Sequence, residues 1–472
     1  MNEGYRDMEL GELLDYIQPS KYIVKSTEYD DSYETPVLTP GKSFIKGYTN
    51  ETEGIFTDVP VIIFDDFTTA SKFVDFPFKV KSSAMKILVL ADDEVDIKYL
   101  YYMMQVIQVR SDTHKRYWIS VYAKKNLLTP PLPEQKRIVA EIEKQFSRLD
   151  EAVAALKRIK ANLKRYKASV LKAAVEGKLT EEWRKEHPDV EPARELLKRI
   201  LAERRRKWED TELEKMRAKG KEAKDDTWKK KYKEPTVPKL DQYPHLPEGW
   251  TFTGIGQILA MDKDAMKTGP FGSLLKKHEH QPEGVPVLGI ENIQAMRFVK
   301  GSKIHITKDK AQQLDGYCAL PGDILISRSG TVGEVCVVPS DIDEARISTN
   351  LMKISLAKDG LLPEFFTFLF NGSPFVLNQV AELCKGSTRN FLNQEILRRI
   401  VFVLPTIEEQ KEIIQAVDRQ YTLLSKLEAE VDINLKRAER LRQSILRKAF
   451  SGKLFPQNPN DKPVESRLRR VN

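Results

Sequence analysis

The sequence predicts a mixed α/β (α+β) fold: two globular domains separated by two long helices that pack as an antiparallel coiled coil with pseudo-twofold symmetry. Three observations lead there. Residues 130–179 recur without a gap 275 positions later as residues 405–454, and long-range self-similarity marks a duplicated structural unit. Within each copy, apolar residues alternate steps of three and four, the signature of a helix that buries one stripe against another helix. The segments ahead of each copy are instead rich in Gly, Pro, aromatic and β-branched residues, with short strand-like runs.

Each element follows in order. At 472 residues with 41% hydrophobic content, the chain exceeds one ordinary core and can fill at least two. Residues 1–129 form the first globule, with strand-like VPVIIF (59–64) and MKILVLA (85–91). Residues 130–179 form the first helix. It opens with proline and acid in PPLPEQKRIV, which suits a first turn whose N–H groups lack partners, and closes at Gly177 in KAAVEGKL. About 43 residues at ~1.5 Å each make a rod of roughly 65 Å. Residues 180–245 are a charged insert, in which EPARELLKRILAERRRKWED is periodic enough for another helix and the charges read as a solvated linker face or, alternatively, as a dedicated nucleic-acid tail. LPEGW restarts compact structure, and residues 246–404 form the second globule, with VPVLGI (285–290) and GDILISRSG (322–330). Residues 405–455 repeat the helix from PTIEEQKEII to Gly452 in RKAFSGKL, and residues 456–472 are a tail.

The expected seam on the first helix is Leu149, Ala152, Leu156, Ile159, Leu163, Tyr166 and Val170. The repeat carries it to Leu424, Leu427, Val431, Asn434, Ala438, Leu441 and Ile445. Asn434 is either a buried register-setting polar residue or a surface-edge position. Cys318, Cys336 and Cys384 are odd in number and too widely spaced for a metal knuckle, and read as core thiols in a reducing compartment. No run of about 18 apolar residues appears and the first residues are acidic, so a soluble, cytoplasmic protein is expected. The net charge of +8 favours a polyanionic partner.

The spacings that mark catalysis do not occur: neither a G-x-x-x-x-G-K-[ST] phosphate loop, nor HExxH, nor the Asn- or Asp-Pro-Pro-aromatic tetrapeptide that holds a flipped base. His278 and His280 in KKHEH stand without nearby ligand partners and read as surface residues, so no metal site is expected. Candidate residues for contacting a polyanion such as nucleic acid lie instead on polar loops at strand ends. In the second globule they are Lys267, Thr268 and Ser273, then Ser327, Arg328, Ser329 and Thr331, then Thr349 and Asn350, and finally Lys385, Ser387, Thr388 and Arg389. In the first they are Ser20, Lys21, Tyr22, Thr39, Lys42, His114, Lys115 and Arg116. Arg can grip guanine and Asn adenine, while Lys and hydroxyls suit phosphates; each of these loops also reads as an ordinary solvated turn. Where the second globule has ISRSGT the first has IFDDFT, so that Asp65 and Asp66 either accept from cytosine or cap a turn.

The order globule, helix, insert, globule, helix, with PPLPEQKRIVAEIE, EGKLTEEWR, LPEGW, GDILISRSGTVG and LPTIEEQKEII, resembles the specificity subunit of a type I restriction-modification system over essentially the whole chain. The resemblance implies that each globule is a target recognition domain for half of a split, asymmetric site in double-stranded DNA. It implies that the helices set the gap and dock two modification (methyltransferase) subunits, with restriction (motor-nuclease) subunits joining for cleavage. The chain would then be non-catalytic, with S-adenosylmethionine, ATP and Mg²⁺ on its partners and no membrane involved. Two rivals remain: a coiled-coil scaffold with protein-binding globules, and the recognition module of a fused restriction-methylation enzyme.

Overall fold

The computed structural model describes residues 5–39, 41, 43–107, 116–223, 225–271, 274–294, 296–328, 333–384 and 392–454. The chain divides into two compact units, residues 1–160 with 429–472, and residues 161–428.

In the first unit, β1 (Arg6–Glu9) runs directly into α1 (Leu10–Leu13) and β2 (Leu14–Ile17). There follow β3 (Thr35–Leu38), β4 (Ile45–Thr49), β5 (Val61–Asp65), β6 (Ser71–Val74), β7 (Lys79–Val80) and β8 (Met85–Leu90). After α2 (Ile97–Met104) and β9 (Asn126–Thr129), the long helix α3 (Leu132–Val175) begins. An antiparallel sheet has the order β2-β8-β5-β6, a second has the order β4-β3-β7 with β3 and β7 parallel, and β9 pairs with β1. Central strand β5 is apolar from Val61 to Phe64 because both faces are covered there. Ile62 and Phe64 join Leu88, Trp118 and Tyr122 on one side, while Val61 and Ile63 join Phe56, Phe78 and Ile87 on the other.

The second unit repeats this plan after α4 (Glu181–Glu186) and α5 (Ala193–Ala218). Its elements are β10 (Thr251–Gly254), α6 (Ile255–Ile258), β11 (Met266–Thr268), β12 (Val285–Leu288), the hairpin β13 (Ile293–Gln294) and β14 (Arg297–Phe298), and β15 (Ile304–Ile306). Then come α7 (Lys308–Gln313), β16 (Cys318–Ala319), β17 (Ile324–Ser327), β18 (Val335–Val337), β19 (Ala345–Ile347) and β20 (Leu351–Ile354). The series ends with α8 (Pro363–Gly372), α9 (Pro374–Cys384), α10 (Gln394–Arg399), β21 (Val401–Leu404) and α11 (Ile407–Phe450). Sheet β11-β20-β17-β18 matches β2-β8-β5-β6, β15-β12-β19 matches β4-β3-β7 down to the parallel pair β12/β19 with β16 added at its edge, and β10/β21 matches β1/β9. The sequence repeat marked only the helices; the structure extends the duplication to the globules.

The charged insert is more than a tether. Its α5 puts Ala193, Leu196, Leu197 and Ile200 on one buried face, and Ala193 and Leu197 enter the main core of the second unit. The charges occupy the remaining faces, which is why the run reads as solvated.

Helices α3 and α11 have 44 residues each. Both end as the sequence predicts. Gly177 (φ 71°) and Gly452 (φ 72°) are left-handed. Gly177 N–H donates to Ala174 O (3.1 Å) and Lys178 N–H to Ala173 O (2.9 Å), and Gly452 and Lys453 repeat the pair with Ala449 O (3.3 Å) and Lys448 O (2.8 Å). This pattern satisfies carbonyls that the last turn leaves open.

The helices run antiparallel within each unit. In the first, Asp150 pairs with Arg442 and Lys160 with Asp432 (2.5 Å). In the second, Lys167 pairs with Glu428 (2.6 Å), and Tyr421 Oη donates to Lys167 O (3.1 Å). The expected seam needs correction in one of its two rows. Leu424, Val431, Ala438, Ile445 and Val170 are buried, and Leu149, Leu156 and Leu163 are half-buried. Ala152, Ile159, Tyr166, Leu427, Asn434 and Leu441 are exposed, and Asn434 merely donates to Glu430 O one turn back (2.9 Å). The second row lies one residue further on, at half-buried Val153 and Lys167 of α3 and Glu428, Leu435 and Arg442 of α11. Long charged side chains hold most of these places, laying their stems along the seam and pairing at its edge. Each unit also holds its own cation–aromatic contact. Arg442 lies 4.1 Å from the Phe146 ring centre and Lys167 5.8 Å from that of Tyr421, and adding 275 to Phe146 and Lys167 gives Tyr421 and Arg442.

The repeated Glu-Gln pair at each helix start joins helix to globule. Gln135 is 1% exposed: its Oε1 accepts from Asp96 N–H (2.8 Å), and its Nε2 donates to Glu94 O (3.2 Å) and Pro130 O (2.7 Å). Gln410, 0% exposed, does the same with Leu362 N–H (2.7 Å), Gly360 O (3.3 Å) and Pro405 O (3.1 Å). Asp96 and Leu362 are the N-caps of α2 and α8. Glu134 accepts from Tyr5 Oη (2.6 Å), as Glu409 does from Trp250 Nε1 (2.7 Å). Glu409 also takes Thr180 Oγ1 (2.6 Å) and Arg184, which draws the end of α3 and α4 to the start of α11.

Candidate nucleic-acid interface

The sheet of the second unit brings most of its described candidates to one end. Thr268 closes β11, Ser327 closes β17 and Leu351 opens β20, with Thr268 opposite Met352 and Ser327 opposite Leu351. Four segments are tied together there. Gln394 Nε2 donates to Thr268 Oγ1 (3.1 Å), and Thr349 Oγ1 donates to Pro270 O (2.6 Å). Arg328 donates through Nε to Leu392 O (3.2 Å) and through Nη1 to Thr349 O (3.1 Å), and its backbone N–H to Asn350 O (2.9 Å). Gly269 lets the chain pass so close to Ser348 that a Cβ would overlap the Ser348 carbonyl.

Arg328 is the strut of this hub. It is 3% exposed, its guanidinium lies 5.1 Å from the ring centre of exposed Phe271, and burial pushes its pKa down to about 10. Thr349 and Asn350 are exposed and Ser327 is fully buried. Lys267 stands apart, bonded to Asp264 (2.7 Å), whose carboxyl this bond holds below its usual range, and set over Tyr317. The chain runs on from the hub into residues 272–273, 329–332 and 385–391, so Ser273, Ser329, Thr331, Lys385, Ser387, Thr388 and Arg389 lie outside the described residues.

The corresponding place in the first unit has opposite chemistry. Asp65 lies opposite Met85 as Ser327 lies opposite Leu351, so Asp66 stands where Arg328 does. Asp65 caps a turn, accepting from Phe67 and Thr68 N–H (both 2.9 Å). Asp66, 4% exposed, accepts from Trp118 N–H (2.8 Å) and lies 3.6 Å from Lys86 Nζ, which sits 4.1 Å over the Tyr16 ring. Both residues therefore fasten the segment that leads into β9 or β21, one through a carboxylate and the other through a guanidinium.

The other first-globule candidates are dispersed. Ser20 and Lys21 are exposed on a short 3-10 turn, Pro19–Tyr22, while Tyr22 packs edge-on against Phe56 (5.0 Å). Thr39 Oγ1 accepts from Gly41 N–H (3.4 Å), and exposed Arg116 accepts from Ser120 at its carbonyl. Lys42, His114 and Lys115 lie outside the described residues. Sequence reasoning missed Phe271 and Gln394. The signal for Gln394 was the helix start Asn393-Gln394, where Asn393 Oδ1 accepts from Ile396 N–H (2.8 Å). Among the described residues, no three His, Cys, Asp or Glu side chains gather to hold a metal, and no helix is long and apolar enough to cross a membrane.

The sequence matches the family described as "Type I restriction modification DNA specificity domain" over residues 2–165 and 247–437. It is 47% identical over 154 residues to the type I restriction enzyme EcoR124I/EcoR124II specificity subunit of Escherichia coli, covering 32% of this chain and 38% of that one. It is 26% identical over 329 residues to the EcoBI specificity subunit of Escherichia coli, covering 70% of this chain and 58% of that one. The matches thus span from about a third to somewhat over half of those relatives' own lengths. A solved structure concerned with complex assembly and conformational transition of the type I R-M system shares the fold, at TM-score 0.62 and 16% identity, over 96% of this chain and 99% of that one. The duplicated globule-and-helix plan and the family match covering both globules agree: the chain belongs to the type I restriction-modification DNA specificity domain family.

Proposed function

We propose that this chain is the DNA sequence-specificity subunit of a type I restriction-modification complex. Each globule reads one half of a bipartite, asymmetric site, and the paired helices set the gap and dock two modification subunits. The observation that carries this reading is the match of frames with a mismatch of chemistry: the two units share strand order and helix clamps, yet Asp66 and Arg328 occupy one position. Equivalent mounts with different loops are what two different half-sites on one partly symmetric body require. Exposed Ala152, Ile159 and Tyr166 on α3 and Leu427, Asn434 and Leu441 on α11 form a repeated stripe outside the seam. That stripe supports equivalent docking of two identical partners. The chain itself is non-catalytic. S-adenosylmethionine, ATP and Mg²⁺ belong to the modification and restriction subunits, and the work is cytoplasmic. Mixing the full chain with its cognate modification subunit tests this: a stable complex of one chain with two modification subunits should protect a split DNA site. A chain that forms no such complex and binds a protein ligand by itself would favour the scaffold reading.

A further inference from the structure

Between the charged insert and the second globule lies a cavity of about 540 Å³, wholly within the second unit. Its lining carries five cationic side chains, Arg204, Lys231, Lys233, Lys263 and Arg398, against one acid, Asp262. Two buried donors there, Arg204 Nε and Tyr232 Oη, have no hydrogen-bond partner. Arg204 already gives one Nη to Leu259 O, so its fork is fixed in place with Nε left over. Tyr232 is fixed as well, by Trp208 at 5.2 Å, and Trp208 in turn stacks on Trp228 at 5.9 Å. A buried guanidinium N–H and a phenol O–H without acceptors cost free energy that an oxyanion recovers. Burial alone lowers the Arg204 pKa, which further favours a neutralising anion.

We propose that this cavity is a binding site for a phosphate group, held by Arg204 Nε and Tyr232 Oη, with the surrounding lysines and Arg398 supplying attraction. The site is independent of the DNA-reading proposal. Its phosphate comes from a small phosphorylated ligand or from a nucleic-acid backbone.

Calorimetric titration of the full chain with inorganic phosphate and with pyrophosphate is the test. Saturable binding is expected. Tyr232→Phe, which keeps the ring against Trp208, should weaken it about tenfold, the effect of one lost hydrogen bond to a charged acceptor. Arg204→Lys keeps the charge and removes Nε, and should weaken it at least as much. Lys219→Glu, on exposed surface just past α5 and outside the cavity, should leave it unchanged. A DNA duplex that displaces bound phosphate assigns the source to a backbone; phosphate that stays bound beside the duplex assigns it to a small ligand. Absence of saturable phosphate binding overturns the proposal. So does equal affinity in wild type and Tyr232→Phe at unchanged melting temperature, because diffuse attraction to a basic surface does not depend on a neutral hydroxyl.

Discussion

Replacing Gln410 with alanine removes three hydrogen bonds from a fully buried site. The Leu362 N–H at the N-cap of α8 loses its acceptor, and an unsatisfied buried donor costs about 1–3 kcal/mol. The carbonyls of Gly360 and Pro405 each lose a donor at 3.3 and 3.1 Å, a smaller penalty because a carbonyl offers two lone pairs. With the small void added, the loss comes to about 3 kcal/mol, which for a unit of this size lowers the melting temperature by roughly 6–12 °C. Circular dichroism melts of the full chain give the shift, and hydrogen exchange at the Leu362 amide shows whether the damage is local. Gln410→Glu discriminates further: it retains an acceptor for Leu362 and loses both donated bonds, so that amide should stay better protected than in the alanine variant. Gln135→Ala should mirror the effect in the first unit, at the Asp96 amide. A melting shift within about 1 °C, or an unprotected Leu362 amide in the wild type, would refute the claim that this glutamine fastens helix to globule.

Further outcomes follow from the same geometry. Gly177→Ala and Gly452→Ala place a Cβ on left-handed residues and should each destabilise by about 1 kcal/mol, with Gly177 the worse because Pro247 and Trp250 crowd the added atom; thermal melts rank the two. A double-mutant cycle of Arg442→Met with Phe146→Leu should return a coupling of about 0.5–2 kcal/mol, and zero coupling would remove the cation–aromatic contact from the account. Cys336 is buried with its pKa pushed up to about 12, so at pH 8 it carries almost no thiolate and should resist thiol reagents until the chain unfolds; rapid labelling of Cys336 in the folded protein would contradict its placement.

The helices were the most legible part of the sequence, since proline, acid, heptad spacing and Gly177 or Gly452 each act locally. Even there half the seam was hidden. Leu427 and Leu441 look like seam residues and are exposed, while Glu428 and Arg442 look like surface residues and sit half-buried. A stripe completed by charged stems cannot be found from hydrophobicity alone. The repeat of Glu134-Gln135 at Glu409-Gln410 was visible, but its purpose was not, because the partners Asp96 and Leu362 lie 39 and 48 residues away. The globule repeat escaped notice since only strand order and burial preserve it. At the hub, Ser327, Arg328 and Thr349 were found as loop residues, yet burial makes Arg328 a strut, a role that depends on carbonyls from other segments. The cavity at Arg204 and Tyr232 was illegible for the same reason: only the fold brings these residues together.

The central claim is that two equivalent mounts carry two different readers whose separation is set by the helices. The most direct test maps the methylated bases in DNA from cells carrying the complete system, with the intact chain and with a chain lacking matched heptads from α3 and α11. The account predicts a split asymmetric site whose two half-sequences persist while the gap between them shortens. Half-sequences that change with the helices, or a single continuous site, would contradict it.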